Sequence, residues 1–288
     1  MPRVRAGALV ALLGLVAAAC VPPLPEQTLK RDYSESTAMG EAQEAGRLRI
    51  GVPADAPPLG FMYPQTQEIG GLAVSLGRLL ARTLGVRAEF VVAPSRRLLE
   101  LIDSAEVDVA FPDVPLTEEE ARAHSFTNPY LVTHQRLLVP RTSPLAGVHD
   151  LGGRTVCAAI NEATQVSPRR LEPGVAVVRA DINACAARLR RGEVDAVTGG
   201  DVFLEWVRRR LRPDSARIVG DQLSTEGYGA AVAPGGGWLP FVNAVFAASE
   251  EDGTWAAAYE RWIGKRPEEP PELTAEEAAA LFPSGAGG

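Results

Sequence analysis

The sequence predicts an α/β protein built as two similar lobes. Three observations carry this reading. Apolar strand runs alternate with helical periodicity from Leu48 to Phe111, as in parallel strands whose two faces are covered by helices. The same order recurs from Thr155 to Thr198. Glu106-Val107-Asp108-Val109-Ala110 and Glu193-Val194-Asp195-Ala196-Val197 then fall at equivalent places, each between a helix and a loop. With 288 residues and 46% hydrophobic content, the chain is long enough to bury two modest cores.

The first unit opens on a strand from Leu48 to Val52, which Pro53 ends. After a loop to Gly70, Leu72, Leu76, Leu79, Leu80 and Leu84 form one face of a helix that Gly85 stops. Ala88, Phe90 and Val92 alternate as a second strand. Ser95 is expected to cap a helix through Ser104, before a third strand from Val107 to Phe111. Thr117, with Glu120 three residues on, has the form of a capping box opening a further helix.

The second unit has strands at Thr155 to Ile160 and Val175 to Arg179, with a partly helical stretch between them at Ala163 to Leu171. Asp181 caps a helix through Arg191 that Gly192 stops, and Val194 to Thr198 is the next strand. A helix from Asp201 to Arg210 and a strand at Arg217 to Val219 follow. Trp255, Tyr259 and Trp262 stand at helical spacing and are expected to be packing rather than a site.

The net charge of -7 argues against nucleic acid as a partner. Arg3 and Arg5, the apolar run from Ala8 to Ala19 and then Cys20 have the form of an export signal, too short for an ordinary transmembrane helix. A cysteine directly after such a run resembles a bacterial lipobox, in which Cys20 becomes lipid-modified. Ordinary cleavage after Ala17-Ala18-Ala19 is the alternative. With Cys20 so assigned, Cys157 and Cys185 form an even pair in an oxidising compartment and are expected to join, free buried thiols being the alternative.

Val107-Asp108, Thr117, Phe126-Thr127 and Pro129-Tyr130, followed by the apolar run Leu137 to Val139, form a diagnostic series. Arg49 to Val52 with Pro57-Pro58, Gly192 to Val197, and Asp252 to Trp255 extend it over Arg47 to Gly264. The series resembles the extracytoplasmic solute-binding proteins of amino-acid ABC importers, of the family 3 type, and among them the glutamate- and glutamine-binding lipoproteins. The resemblance implies a two-lobed periplasmic-binding-protein-like fold of type II, with Rossmann-like lobes joined by two crossing strands, at Leu137 to Val139 and Glu226 to Val232. The expected organisation is a signal peptide over 1–20, a tether over 21–46 with one short helix near Thr37 to Ala45, lobe one over 47–139 and again 229–264, lobe two over 140–228, and a tail over 265–288.

In the family, an arginine after the Thr-x-Glu run holds a ligand carboxylate and an aspartate after the lobe-two Val-Asp strand holds the amine. Here Glu120 and Gly200 stand at those places. Arg122 would point about 200° away along a helix from position 120 and is a poor substitute. Asp201 either contacts ligand or caps its own helix. Asp113, between Pro112 and Pro115, either receives a ligand ammonium or stays hydrated on a loop. Arg96 and Arg97 oppose the dipole at a helix start, which hints at an anionic partner. Asn161 and Thr164 occupy a loop that in relatives holds the ligand carboxylate. Phe61 matches a family aromatic that lies against ligand or packs in the core.

No catalytic, metal-ligand or cofactor pattern stands out, since His124, His134 and His149 lie on separate elements. The function expected is that of a monomeric, membrane-anchored extracytoplasmic lipoprotein that binds a small polar solute between its lobes and delivers it to an ABC permease. A sensing or interaction module of the same fold, and a cyclohexadienyl-type dehydratase, are the alternatives.

Overall fold

The computed structural model describes residues 32–63, 65–159, 174–212 and 214–264. In chain order the first elements are α1 (Ala38–Glu44), β1 (Arg47–Val52), β2 (Asp55–Ala56), β3 (Gly60–Met62), β4 (Ile69–Gly70), α2 (Leu72–Leu84), β5 (Arg87–Val92), α3 (Ser95–Asp103), β6 (Val109–Ala110) and α4 (Glu118–Ala123). Then come β7 (Leu131–Pro140), β8 (Thr155–Ala159), β9 (Ala176–Ala180), α5 (Ile182–Arg191), β10 (Ala196–Gly200), α6 (Asp201–Arg210), β11 (Ala216–Val219), β12 (Thr225–Tyr228), β13 (Ala231–Val232), α7 (Trp238–Glu251) and α8 (Thr254–Ile263). They form two main sheets. Lobe one has the order β13-β6-β1-β5 and lobe two β11-β7-β10-β8-β9, with β2, β3 and β4 as a separate small sheet.

Local chemistry explains most elements. The leucine face of α2 is buried against β1, with Leu79 half-buried at its edge, and Gly85 ends the helix in the left-handed region. Asp181 accepts from the backbone N–H of Asn183 and Ala184 at the start of α5, and Gly192 stops that helix. Thr117 likewise accepts from Glu120 N–H. Ser95 does not cap α3. That place falls to Pro94, and the Ser95 hydroxyl instead accepts from the N–H of Asp113 at 2.8 Å.

The repeated Val-Asp pairs have one structural job, done twice. Asp108 N–H donates to Arg49 O (2.9 Å) while its carboxylate accepts from Arg49 N–H (2.7 Å). Asp195 N–H donates to Thr155 O (2.8 Å) while its carboxylate accepts from Thr155 N–H (2.8 Å). Each aspartate thus extends the parallel pairing of its sheet by one reciprocal bond pair. Three residues before each stand Ala105 and Gly192, both in the left-handed region at φ 53° and 72°. Alanine meets there a cost that glycine avoids.

The segment expected to be a tether contributes to lobe one from Tyr33 onward. Tyr33 packs edge-on to Phe241, and Met39 and Ala42 of α1 enter the core. At the other end of the chain, Trp255, Tyr259 and Trp262 pack on lobe one as expected, with the Trp255 indole donating to Tyr130 O and the Trp262 indole to Ser75 Oγ.

The connection between lobes differs from expectation. Leu137 to Val139 already lie inside the lobe-two sheet, between β10 and β11. The crossing is made just before them, where Leu131 to His134 pair antiparallel with Tyr228 to Thr225 of β12. From there β13 returns to pair with β6 in lobe one. One ten-residue strand therefore serves two sheets, and its middle is the joint.

Asp201 pins that joint. It begins α6, and its Oδ1 accepts from Val202 N–H (2.9 Å), Thr133 Oγ1 (2.9 Å) and His134 N–H (3.0 Å), with the His134 ring 3.4 Å from Oδ2. Desolvation pushes this carboxyl up, but the hydrogen bonds from His134 and Thr133 outweigh it and hold it below the usual aspartate range. A depressed folded-state pKa contributes stability that is present above the unfolded value of about 3.9 and lost as pH falls through the folded one. Asp201→Asn is therefore expected to cost about 1–3 kcal/mol near neutrality. Urea midpoints should show that deficit shrinking below about pH 4. A pH-independent deficit would assign the loss to something other than the carboxylate.

Candidate functional site

A cleft of about 700 Å³ opens between the lobes. Its lobe-one wall comes from the small sheet and the residue that follows β3 (Asp55, Phe61 and Tyr63), the start of α3 (Ser95) and the loop after β6 (Asp113). Its lobe-two wall comes from the start of α5 and one face of α6: Asp181, Asn183, Trp206 and Arg210. Gly60 lets the small sheet turn tightly here, because a Cβ would stand 2.2 Å from Pro53 O. That turn presents Phe61 against the edge of Tyr63 (4.9 Å between ring centres) and against Trp206 of the opposite lobe (5.0 Å). Aromatic rings from both lobes therefore meet in the cleft.

Trp206 and Arg210 lie four residues apart, on one face of α6. The Arg210 guanidinium lies over the Trp206 ring and its Nη1 donates to Trp206 O at 3.4 Å. Burial, and then the neighbouring Arg209, lower its pKa from the ordinary arginine value. Across the cleft Asp113 is 5% exposed, held by the Ser95 bond to its backbone. Burial first, and then the charge of Asp113, push the phenols of Tyr130 and Tyr228 well above their ordinary value, so both stay neutral beneath this wall.

Of the residues expected to contact ligand, Phe61 and Asp113 both line the cleft. Arg96 is placed otherwise: it donates to the buried carboxylate of Glu120 at 2.7 Å. Glu120 thus serves as an ion-pair partner besides receiving the Thr117 cap at its backbone. Arg97 pairs with Glu100 on the surface, and Arg122 with Glu118, turned away as helical geometry requires. Asp201 lies at the joint rather than in the cleft wall. Asn161, Thr164 and Cys20 lie outside the described residues. Cys157 and Cys185 are joined by a disulfide, Cα atoms 5.5 Å apart.

Trp206, Arg210, Tyr63 and Asn183 were not among the residues singled out from sequence. The signal for the first two was present, since Val202, Phe203, Trp206 and Arg210 follow helical spacing. Nothing in that spacing says which neighbour the stripe meets.

The chain resembles known proteins over most of its length. The glutamine-binding protein of Geobacillus stearothermophilus is 27% identical over 238 residues, covering 78% of this chain and 90% of that protein. The L-cystine-binding protein TcyJ of Escherichia coli is 26% identical over 259 residues, covering 88% and 95%. Among solved structures, a mutant of ArgBP from T. maritima superimposes with a TM-score of 0.64 at 28% identity, covering 79% of this chain and 99% of that one. The architecture is the two-lobed type II fold of periplasmic binding proteins. Residues 48–265 match the profile of the bacterial extracellular solute-binding proteins, family 3, and the chain belongs to that family.

Proposed function

We propose that this protein is the amino-acid receptor of an ABC importer, held at the outer face of the cell membrane by a lipid on Cys20, closing its lobes on one solute and presenting it to the permease. The observation that supports this best is the cleft itself: aromatic walls from both lobes, with carboxylates and one arginine around them, suit a small zwitterion. Relatives named for glutamine, cystine and arginine agree with an amino-acid ligand. Family membership also speaks for binding rather than turnover.

Three carboxylates, Asp55, Asp113 and Asp181, face one arginine in the lining, so acidic solutes are disfavoured and neutral or cationic amino acids favoured. A thermal-shift screen over amino acids, polyamines and organic acids tests the reading. A ligand at 100 times its dissociation constant adds about 2.7 kcal/mol, which raises the melting temperature by about 5–10 °C in a chain of this size. A screen in which no amino acid shifts the transition would leave a sensing or interaction module as the better account. In the same preparation lipidated protein stays with membranes, whereas Cys20→Ser appears in the soluble fraction.

A further inference from the structure

Helix α6 lies between β10 and β11 of the lobe-two sheet, yet it is shared between the two cores. Val202 and Phe203 of its first turn are buried in the lobe-one core, whereas Leu204, Trp206 and Val207 are buried in that of lobe two. Its Asp201 end is pinned at the joint, and eight residues on, about 12 Å along the helix axis, stands Arg209. Asp201, Glu205 and Arg209 follow four-residue spacing, on a side of α6 apart from the cavity-lining Trp206 and Arg210. That side meets α8 of lobe one. Burial first, and then the charges of Asp201 and Glu205, push the Tyr259 phenol of α8 above its ordinary value, so both carboxylates neighbour it. At the far end the Arg209 guanidinium lies against Gly264, the residue that caps α8, so closely that a Cβ on Gly264 would overlap it. Arg208 beside it is held by Glu205, but among the described residues Arg209 has no carboxylate within ion-pair distance. What it meets instead is the negative end of a helix, where the last four carbonyls lack partners within that helix.

Resting on lobe closure as read above, we infer that Arg209 is an interlobe latch: a positioning residue that meets the end of α8 when the lobes are together and biases the protein toward closure without touching solute. Rotation about the joint moves a point in proportion to its distance from the axis, so the Arg209 contact parts while the Asp201 bonds at the joint persist. A contact made in one state alone shifts the equilibrium by its own worth. For a cation at a helix C-terminus that worth is a factor of about two to five. Gly264 is the other half of the latch. It holds φ at 99° without penalty, and its missing side chain is what admits the guanidinium.

Pulsed dipolar distances between spin labels at Arg87→Cys and Arg190→Cys, one exposed position on each lobe, read closure directly in the full-length Cys20→Ser protein without solute. Arg209 is itself exposed, so its variants are expected to keep the fold and the urea midpoint. Arg209→Ala should raise the ratio of long to short interlobe distances about two- to fivefold. Arg209→Lys, which keeps the charge but not the planar fork, should recover part of that shift. Gly264→Ala should reproduce the shift, and the double variant Arg209→Ala/Gly264→Ala should go no further than either change alone. An Arg209→Ala ratio equal to that of the unsubstituted protein overturns the latch. Shifts that add in the double variant overturn it too, because the two residues would then act separately. No solute enters this measurement, so its failure is distinct from that of the receptor reading, which the thermal-shift screen decides.

Discussion

Trp255→Ala is expected to lower the stability of lobe one by about 3–5 kcal/mol, the range for removing a large aromatic from a packed interior. The ring is 3% exposed, lies in the lobe-one core beside Tyr259, and its indole N–H donates to Tyr130 O at 2.9 Å. Tyr130 immediately precedes β7, so the bond ties the last helix to the point where the chain leaves the lobe. Trp255→Phe keeps much of the apolar contact but removes the donor and part of the buried ring, and should cost about 1–3 kcal/mol. Urea unfolding followed by far-ultraviolet dichroism gives both numbers. A loss below about 1 kcal/mol for the alanine variant would mean that α8 is not part of the cooperative core.

Removing the disulfide should act on lobe two by a different route. Cys157 on β8 and Cys185 on α5 are both fully buried and close a loop of sequence separation 28. In the chain-entropy account such a crosslink stabilises by about 3–4 kcal/mol, because it removes conformations from the unfolded chain. The double variant Cys157→Ala/Cys185→Ala should lose that amount, visible as a lower urea midpoint. Native protein unfolded without reductant should resist alkylation at both positions. Labelling of both thiols under those conditions, or an unchanged midpoint, would overturn the expectation.

Features that depend on a few neighbouring residues could be read from the chain alone. The leucine face of α2, the glycine stops at Gly85 and Gly192, the Asp181 cap and the tryptophan stripe of α8 all follow from helical period, cap chemistry or φ preference. Ser95 shows where that reasoning fails. A serine at a helix start suits a cap, but its hydroxyl serves Asp113, eighteen residues away in sequence and adjacent in space. Glu120 keeps its local role, its N–H donating to the Thr117 cap, but its carboxylate accepts from Arg96, 24 residues away in sequence, which local reasoning could not foresee.

The sequence by itself determined the α/β order, the doubled architecture with its paired Val-Asp strands, and the family, because each rests on short-range periodicity or a contiguous motif. Tertiary structure alone decided that the chain crosses at Leu131 to His134, that Asp201 pins this joint, and that Trp206 and Arg210 face Phe61 and Asp113 across the cleft. The physical reason is common to all three. A charge or a ring is assigned its work by the partner that satisfies it, and folding brings that partner from the far side of the chain.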